Sequence, residues 1–282
     1  MRSLGLALGV LVCVSLGHAQ PVVPAGSVVN SGSYTAQGVA PGSLVSIFGT
    51  DLAASTSVGN TIPLSTTLSD VVSVTFNNIP AGLYFVSSGQ INAQLPFNVL
   101  ASGQTSGTAE IVVTRGNGAS APQSVSVVPA APGIFTTNAQ GTGQAFAYDN
   151  STGDLAAPVG PPIGAFTTVP ISRSSGHALI IAATGLGSVV SLDGNFIGNY
   201  DAAPPINGQF WNTLLAPTVL IGGVPAQFVY SLLSPQFVSE YQIGVVPDPT
   251  TPTGDAVPLQ IQITSNGVTV TTSDSVTIAV AP

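Results

Sequence analysis

From Leu44 the chain runs apolar, apolar, polar, apolar, apolar through Leu44-Val-Ser-Ile-Phe48, with Gly42 before it and Gly49-Thr-Asp-Leu52 after it. A relative returns without a gap at Gly176-His-Ala-Leu-Ile-Ile-Ala-Ala-Thr-Gly-Leu186, with Gly, Ile, Thr and Leu coinciding at an offset of 176 − 42 = 134. Each copy predicts a strand running into a turn. Val71 to Phe76 then alternates apolar and polar residues, and Asn77-Asn78 supplies two positive-φ positions for a tight hairpin before Ile79-Pro80-Ala81. Val219-Leu-Ile221, Gly222-Gly223 and Val224-Pro225-Ala226 repeat that hairpin. Downstream, Gln90-Ile91 to Pro96 is answered by Gln242-Ile243 to Pro247, Glu110 to Thr114 by Pro258 to Thr264, and Ser124 to Val127 by Ser275 to Ile278. Short strands at this spacing, broken by Gly, Pro and Asn, predict two tandem antiparallel β-sandwiches related by internal duplication. The fold class is all-β, and no segment shows a convincing amphipathic helical period.

The duplication sets the expected boundaries. Residues 41–135 form a first module and residues 176–282 a second. Residues 20–40 are a leader with an edge strand near Val28-Val29. The connector, residues 136–175, is rich in Gly, Pro and Ala, and Phe146-Ala-Tyr148 followed by Asp149 to Asp154 reads as a hairpin with a polar turn. A packed hairpin is the favoured reading, because its aromatic residues would otherwise stand in water.

Residues 1–19 change the picture of where the chain works. Arg2 precedes an apolar run from Leu4 to Leu16, and small residues surround His18, which is the form of a secretory signal peptide cleaved after Ala19. The expectation is a secreted protein, at the cell surface or in the periplasm. The apolar run is shorter than the roughly 20 residues a spanning helix needs, and no later run approaches that length, so no membrane insertion is expected. The single cysteine, Cys13, lies inside the apolar run without the small residues that precede a lipidated cysteine. After residue 19 there are no cysteines, two arginines and eleven acids, so the charge is 2 − 11 = −9, and lysine is absent throughout. Such a chain offers phosphate backbones and anionic lipid almost nothing, which excludes nucleic acid as a partner. Without disulfides the modules must be held by core burial, for which 44% apolar residues suffice.

Six motifs in order carry a family likeness: Val28 to Tyr34, Val39 to Leu52, Leu83 to Asn92, Ala131-Pro-Gly-Ile-Phe135, Ala183-Thr-Gly-Leu-Gly187 and Gly254-Asp-Ala-Val-Pro-Leu259. Over roughly Val28 to Pro282 the chain resembles an uncharacterised extracellular C-terminal domain family abundant in acidobacteria. Each half is more loosely similar to the IPT/TIG type of immunoglobulin-like domain, whose opening strand ends in a Gly-Thr-x-Leu/Phe turn. The resemblance implies an immunoglobulin-like architecture on secreted proteins and supplies no catalytic residues. The family's usual setting is an appendage to a larger protein, whereas here the domain follows the signal sequence almost directly.

Candidate chemistry is sparse. His177 is the only histidine after residue 19, it aligns with Ser43 at the start of a strand, and no Gly-x-Ser-x-Gly elbow presents a serine to it. Gly141-Thr-Gly143 lacks the third glycine and the βαβ setting of a dinucleotide loop. No cofactor is expected, nor an enzyme. Most acids sit beside Gly, Pro or Asn, where Asp caps its own turn. Calcium is the ion such oxygen ligands suit best, with Asp193, Asp201, Asp248 and Asp255 as weak candidates and no motif to support them.

The longest departure from the repeat is an insertion in the second module. Leu52 to Val74 spans 22 positions and Leu186 to Val219 spans 33. The extra length holds Phe196, Tyr200, Phe210 and Trp211 among Asn195, Asn199 and Asp201. Aromatic faces beside amides and carboxylates suit sugar rings, which stack on the ring and hydrogen-bond through their hydroxyls. The competing reading is that these aromatics plug the end of the second core. The sequence thus predicts a non-catalytic binding or scaffolding protein recognising an extracellular polysaccharide or a surface protein. Assembly through exposed strand edges, and a carboxylate-dependent glycan hydrolase, are its alternatives.

Overall fold

The computed structural model describes residues 19–116, 118–190, 210–272 and 275–282. Among these, all regular structure is β. The repeated stretches become the strands Leu44–Phe48 and Leu179–Thr184, and each lies inside a sheet with a neighbour on both sides.

In the first sandwich one sheet has the order Val28–Asn30, Leu44–Phe48, Gln90–Gln94, Gly82–Val86 and Ser57–Val58. The facing sheet has the order Gln123–Val127, Gly107–Arg115, Val71–Phe76 and Ile79–Pro80. Lettered along the chain, these are the A-B-E-D and G-F-C-C′ orders of an immunoglobulin-like domain. The second sandwich repeats them. Ala147–Asp149, Leu179–Thr184, Tyr241–Val246 and Gln227–Leu233 form one sheet, and Val276–Ala281, Gly254–Ser265, Thr218–Ile221 and Val224–Pro225 form the other. The protein is therefore a tandem of two immunoglobulin-like β-sandwiches.

Each sandwich closes over its own core. Val45, Ile47, Val74, Phe76, Leu83, Ile91 and Ile111 meet in the first, and Ile181, Ile221, Leu233, Ile243, Leu259 and Ile278 in the second. These side chains alternate with residues on the opposite face of each strand, as a period of two requires. Burying one such side chain contributes about 1.5–3 kcal/mol, which is how sandwiches of this size hold without disulfides.

The hairpins form as the sequence predicts. Asn77 and Asn78 have φ of 50° and 63°, and Gly222 and Gly223 have 60° and 81°. The boundaries differ from the sequence-based ones at three places. Gly133–Ile134, expected in the first module, pairs with Leu179–Thr184, and Ala130 and Ile134 lie in the second core. Val28–Asn30 pairs with Leu44–Phe48, and Val23, Val28 and Val39 enter the first core, so the leader is part of the first sandwich. The connector likewise belongs to the second: Ala145, Ala147, Ala156 and Ile171 lie in its core, and Ala147–Asp149 pairs with Leu179–Thr184. Gly143–Gln144 and Ile171–Ser172 both pair parallel to Val276–Ala281, an exception to the antiparallel rule made as the connector runs along that strand.

The two opening strands meet where the sandwiches join. Leu44 donates its N–H to the Thr184 hydroxyl at 2.9 Å. Asn30 accepts from the N–H groups of Gly32 and Ser33 and donates its amide to the Ala131 carbonyl at 2.7 Å. Tyr241, fully buried, donates its hydroxyl to the Gly187 carbonyl at 2.6 Å. Gly185 has φ of 82°, and a Cβ there would run into the Ala131 carbonyl and the Asn30 amide.

Candidate functional site

Two clefts are lined by residues of both sandwiches. The larger, about 560 Å³, presents small apolar and hydroxyl residues such as Thr35, Thr105, Pro129 and Val270, with neither an aromatic ring nor an ionisable group among the described residues. The other, about 490 Å³, brings together four aromatic rings, hydroxyls, amides and one carboxylate. Its chemistry makes it the candidate site.

Its floor follows from strand pairing. Phe135 donates its N–H to the Ala182 carbonyl at 3.0 Å, and Ala182 donates to the Phe146 carbonyl at 3.1 Å. The small side chain of Ala182 thus lies beside two phenylalanines, with Gln242 paired on its other edge. Phe146 is braced edge-on by Phe166, with ring centroids 5.0 Å apart at 89°. The first sandwich contributes Asn60, Thr61, Ile62 and Tyr84. Ile62 is 52% exposed and Tyr84 44%.

The remaining wall is the loop 234–240 between Gln227–Leu233 and Tyr241–Val246. Ser234 is buried, and its hydroxyl oxygen accepts from the N–H groups of Gln236 at 3.3 Å and Phe237 at 3.2 Å. This tight turn drives Phe237 outward, where it is 57% exposed. The loop closes as Ser234 donates its N–H to the Glu240 carbonyl at 2.8 Å. Glu240 then lies at the cleft, its Oε1 accepting from the Gln242 amide at 3.2 Å.

Burial pushes the Glu240 carboxyl up from the ordinary range, and hydrogen bonds from Gln242 and Ser234 offset only part of that. Beside it, the Tyr148 phenol is raised by burial and by the charge of Glu240. Tyr230 is pushed up to about 12 by burial and by Tyr148. Both phenols, raised above the ordinary tyrosine range, stay neutral, and Glu240 is the one carboxyl group among the cleft's described residues.

Of the residues expected from the sequence, Asn195, Phe196, Asn199, Tyr200 and Asp201 lie outside the described residues. Trp211 is 6% exposed and packs in the second core, so its indole is closed off from a sugar ring. Its neighbour Phe210 is 42% exposed. Asp193 also lies outside the described residues. Asp248 accepts from the Thr250 N–H at 2.8 Å and the Thr250 hydroxyl at 2.6 Å, which is turn capping, and Asp255 is exposed. His177 pairs through Nδ1 with Asp149 at 2.8 Å.

Glu240 and Phe237 escaped the sequence reading. No local signal marks Glu240, because Asp70 and Glu110 likewise stand without Gly, Pro or Asn beside them.

No family model and no curated protein matches this chain. The likeness to the extracellular C-terminal domain family therefore rests on its six motifs alone. Among solved structures the chain is similar to titin Ig tandem domains A164-A165, at 11% identity over 86% of this chain and 91% of that one, with a TM-score of 0.18. It is also similar to a chimeric titin Z1Z2 functionalized with a KLER exogenous peptide from decorin, at 12% identity over 93% and 95% of the two chains, with a TM-score of 0.19. At those scores the likeness adds nothing to the strand orders and paired cores that define the fold.

Proposed function

We propose that this chain is a secreted, non-catalytic binding module that holds a carbohydrate in the aromatic cleft between its sandwiches. One observation carries the reading. Tyr84 from the first sandwich and Phe237 from the second are exposed rings at one cleft, with Asn60, Thr61 and Gln236 placed to bond hydroxyls. Exposed rings of this size need a reason, and a sugar face supplies one. A cleft of about 490 Å³ also falls within the range that takes small ligands. Hydrolysis would need two carboxyl groups about 5–10 Å apart. Among the cleft's described residues only Glu240 is acidic.

The test is a glycan array probed with residues 20–282 and with the Tyr84→Ala and Phe237→Ala variants. The expected result is binding that falls about tenfold or more in each variant, the loss of one stacking contact. Absence of binding to every glycan would overturn the carbohydrate reading.

A second reading, scaffolding through protein contacts, is favoured by the strand Val268–Thr271. It pairs on one side with Gly254–Ser265, carries no charge, and leaves Val268 65% exposed. Uncharged edges of this kind pair readily with other chains.

A further inference from the structure

Among the described residues Glu240 is a carboxylate with no cationic partner. Beyond residue 19 the basic side chains are Arg115, Arg173 and His177. Each is committed elsewhere. Arg115 holds Asp70 at 2.6 Å and the Asp51 carbonyl at 2.6 Å. Arg173 donates to the Thr251 carbonyl at 2.5 Å, and His177 pairs with Asp149. Around Glu240 the donors are the neutral groups of Gln242 and Ser234, which fix its direction and bring no charge. Withdrawing a carboxylate from water without a cation is costly, and the cost is recovered when a ligand brings the cation. The cleft's rings add to this, because aromatic faces attract ammonium groups. The whole chain carries a net charge of −8, which repels uronic acids and sulfated sugars.

We propose that the cleft selects carbohydrate bearing free amino groups, an oligomer or polymer of unacetylated hexosamine whose ammonium lies against Glu240 while its ring stacks on Tyr84 or Phe237. This rests on the carbohydrate reading of the same cleft. An N-acetyl group in place of the ammonium removes the charge and leaves Glu240 desolvated without compensation. Discrimination between the two forms should therefore reside in one carboxylate, and overall affinity in the rings.

The experiment is calorimetric titration of residues 20–282 with a glucosamine tetramer, its fully N-acetylated counterpart and tetralysine, at about pH 6, where the amines are charged. Glu240→Gln and Phe237→Ala are titrated alongside. Glu240→Gln keeps the shape of the side chain, and Phe237 is exposed, so both variants should fold; urea midpoints check this. The expected result is that the free-amine tetramer binds about tenfold more tightly than the acetylated one, in line with one charged hydrogen bond. Glu240→Gln should erase that difference, and Phe237→Ala should weaken both sugars together. Equal affinity for the two sugars, or discrimination that survives in Glu240→Gln, overturns amine selection and leaves the carbohydrate reading standing. Tetralysine binding as tightly as the amino sugar, with the same dependence on Glu240, overturns the sugar and identifies a bare ammonium site. Failure of all three ligands overturns amine selection, and the array then decides the carbohydrate reading on its own.

Discussion

At Glu240 burial opposes ionisation, so the carboxylate that would receive a cation also costs the fold stability. Its folded pKa lies above the ordinary 4.5 because burial disfavours the charged form. Below 4.5 both folded and unfolded chains are protonated, and nothing is lost. As pH rises from there through the folded pKa, the unfolded carboxyl ionises freely and the folded one at a cost, so stability declines. Glu240→Gln should therefore raise the urea midpoint at pH 7 and leave it unchanged at pH 4, even as it weakens the ligand. Asp70 has the opposite sign. Burial alone would raise its pKa, but the Ala54 N–H and the Arg115 guanidinium outweigh that and lower it from 3.8. Its contribution is present above 3.8 and is lost as pH falls through the folded value. Asp70→Asn should flatten the acid side of the stability profile, as followed by urea midpoints from pH 2 to 5. Part of this ion pair is solvent-screened, so the change should be modest.

Hairpins are the elements on which sequence and structure agree most closely. Gly222 and Gly223 both adopt positive φ, but a Cβ on Gly222 would stand 2.8 Å from Pro252, whereas nothing lies within 4 Å of one on Gly223. Gly223→Ala should cost about 1 kcal/mol for the left-handed backbone alone, and Gly222→Ala more, read from denaturation midpoints. The hairpin was legible because its determinants are local: two adjacent residues that tolerate positive φ between apolar runs. The duplication was legible for the same reason, since Gly42 to Leu52 and Gly176 to Leu186 each encode one strand and its turn. What the sequence did not disclose is pairing between distant segments. Ala147 to Asp149 looks like part of a connector until Leu179–Thr184 is beside it. The cleft was hidden for that reason too, because Tyr84, Phe135 and Phe237 come from three separate stretches. In the insertion, by contrast, aromatics crowd locally along the chain, and of these Trp211 serves the core.

At the scale of the molecule, the site exists only while the two sandwiches hold their relative position. Asn30 and Thr184 bridge them with hydrogen bonds, and Gly185 lets the chains approach closely enough to form them. The tandem should therefore unfold in a single calorimetric transition. Gly185→Ala, which forces the backbone of Ala131 away, should split this transition in two and abolish ligand binding while each sandwich keeps its β signal by circular dichroism. The scarcity of bases that leaves Glu240 alone reaches further than the cleft. A protease that cuts after lysine or arginine finds only two bonds beyond residue 19, Arg115–Gly116 and Arg173–Ser174. At each, the guanidinium that such an enzyme must grip is already bound to its own sandwich. Digestion by trypsin-like enzymes thus has to wait for the fold to open, and a chain this poor in basic residues withstands them through its composition as well as its stability.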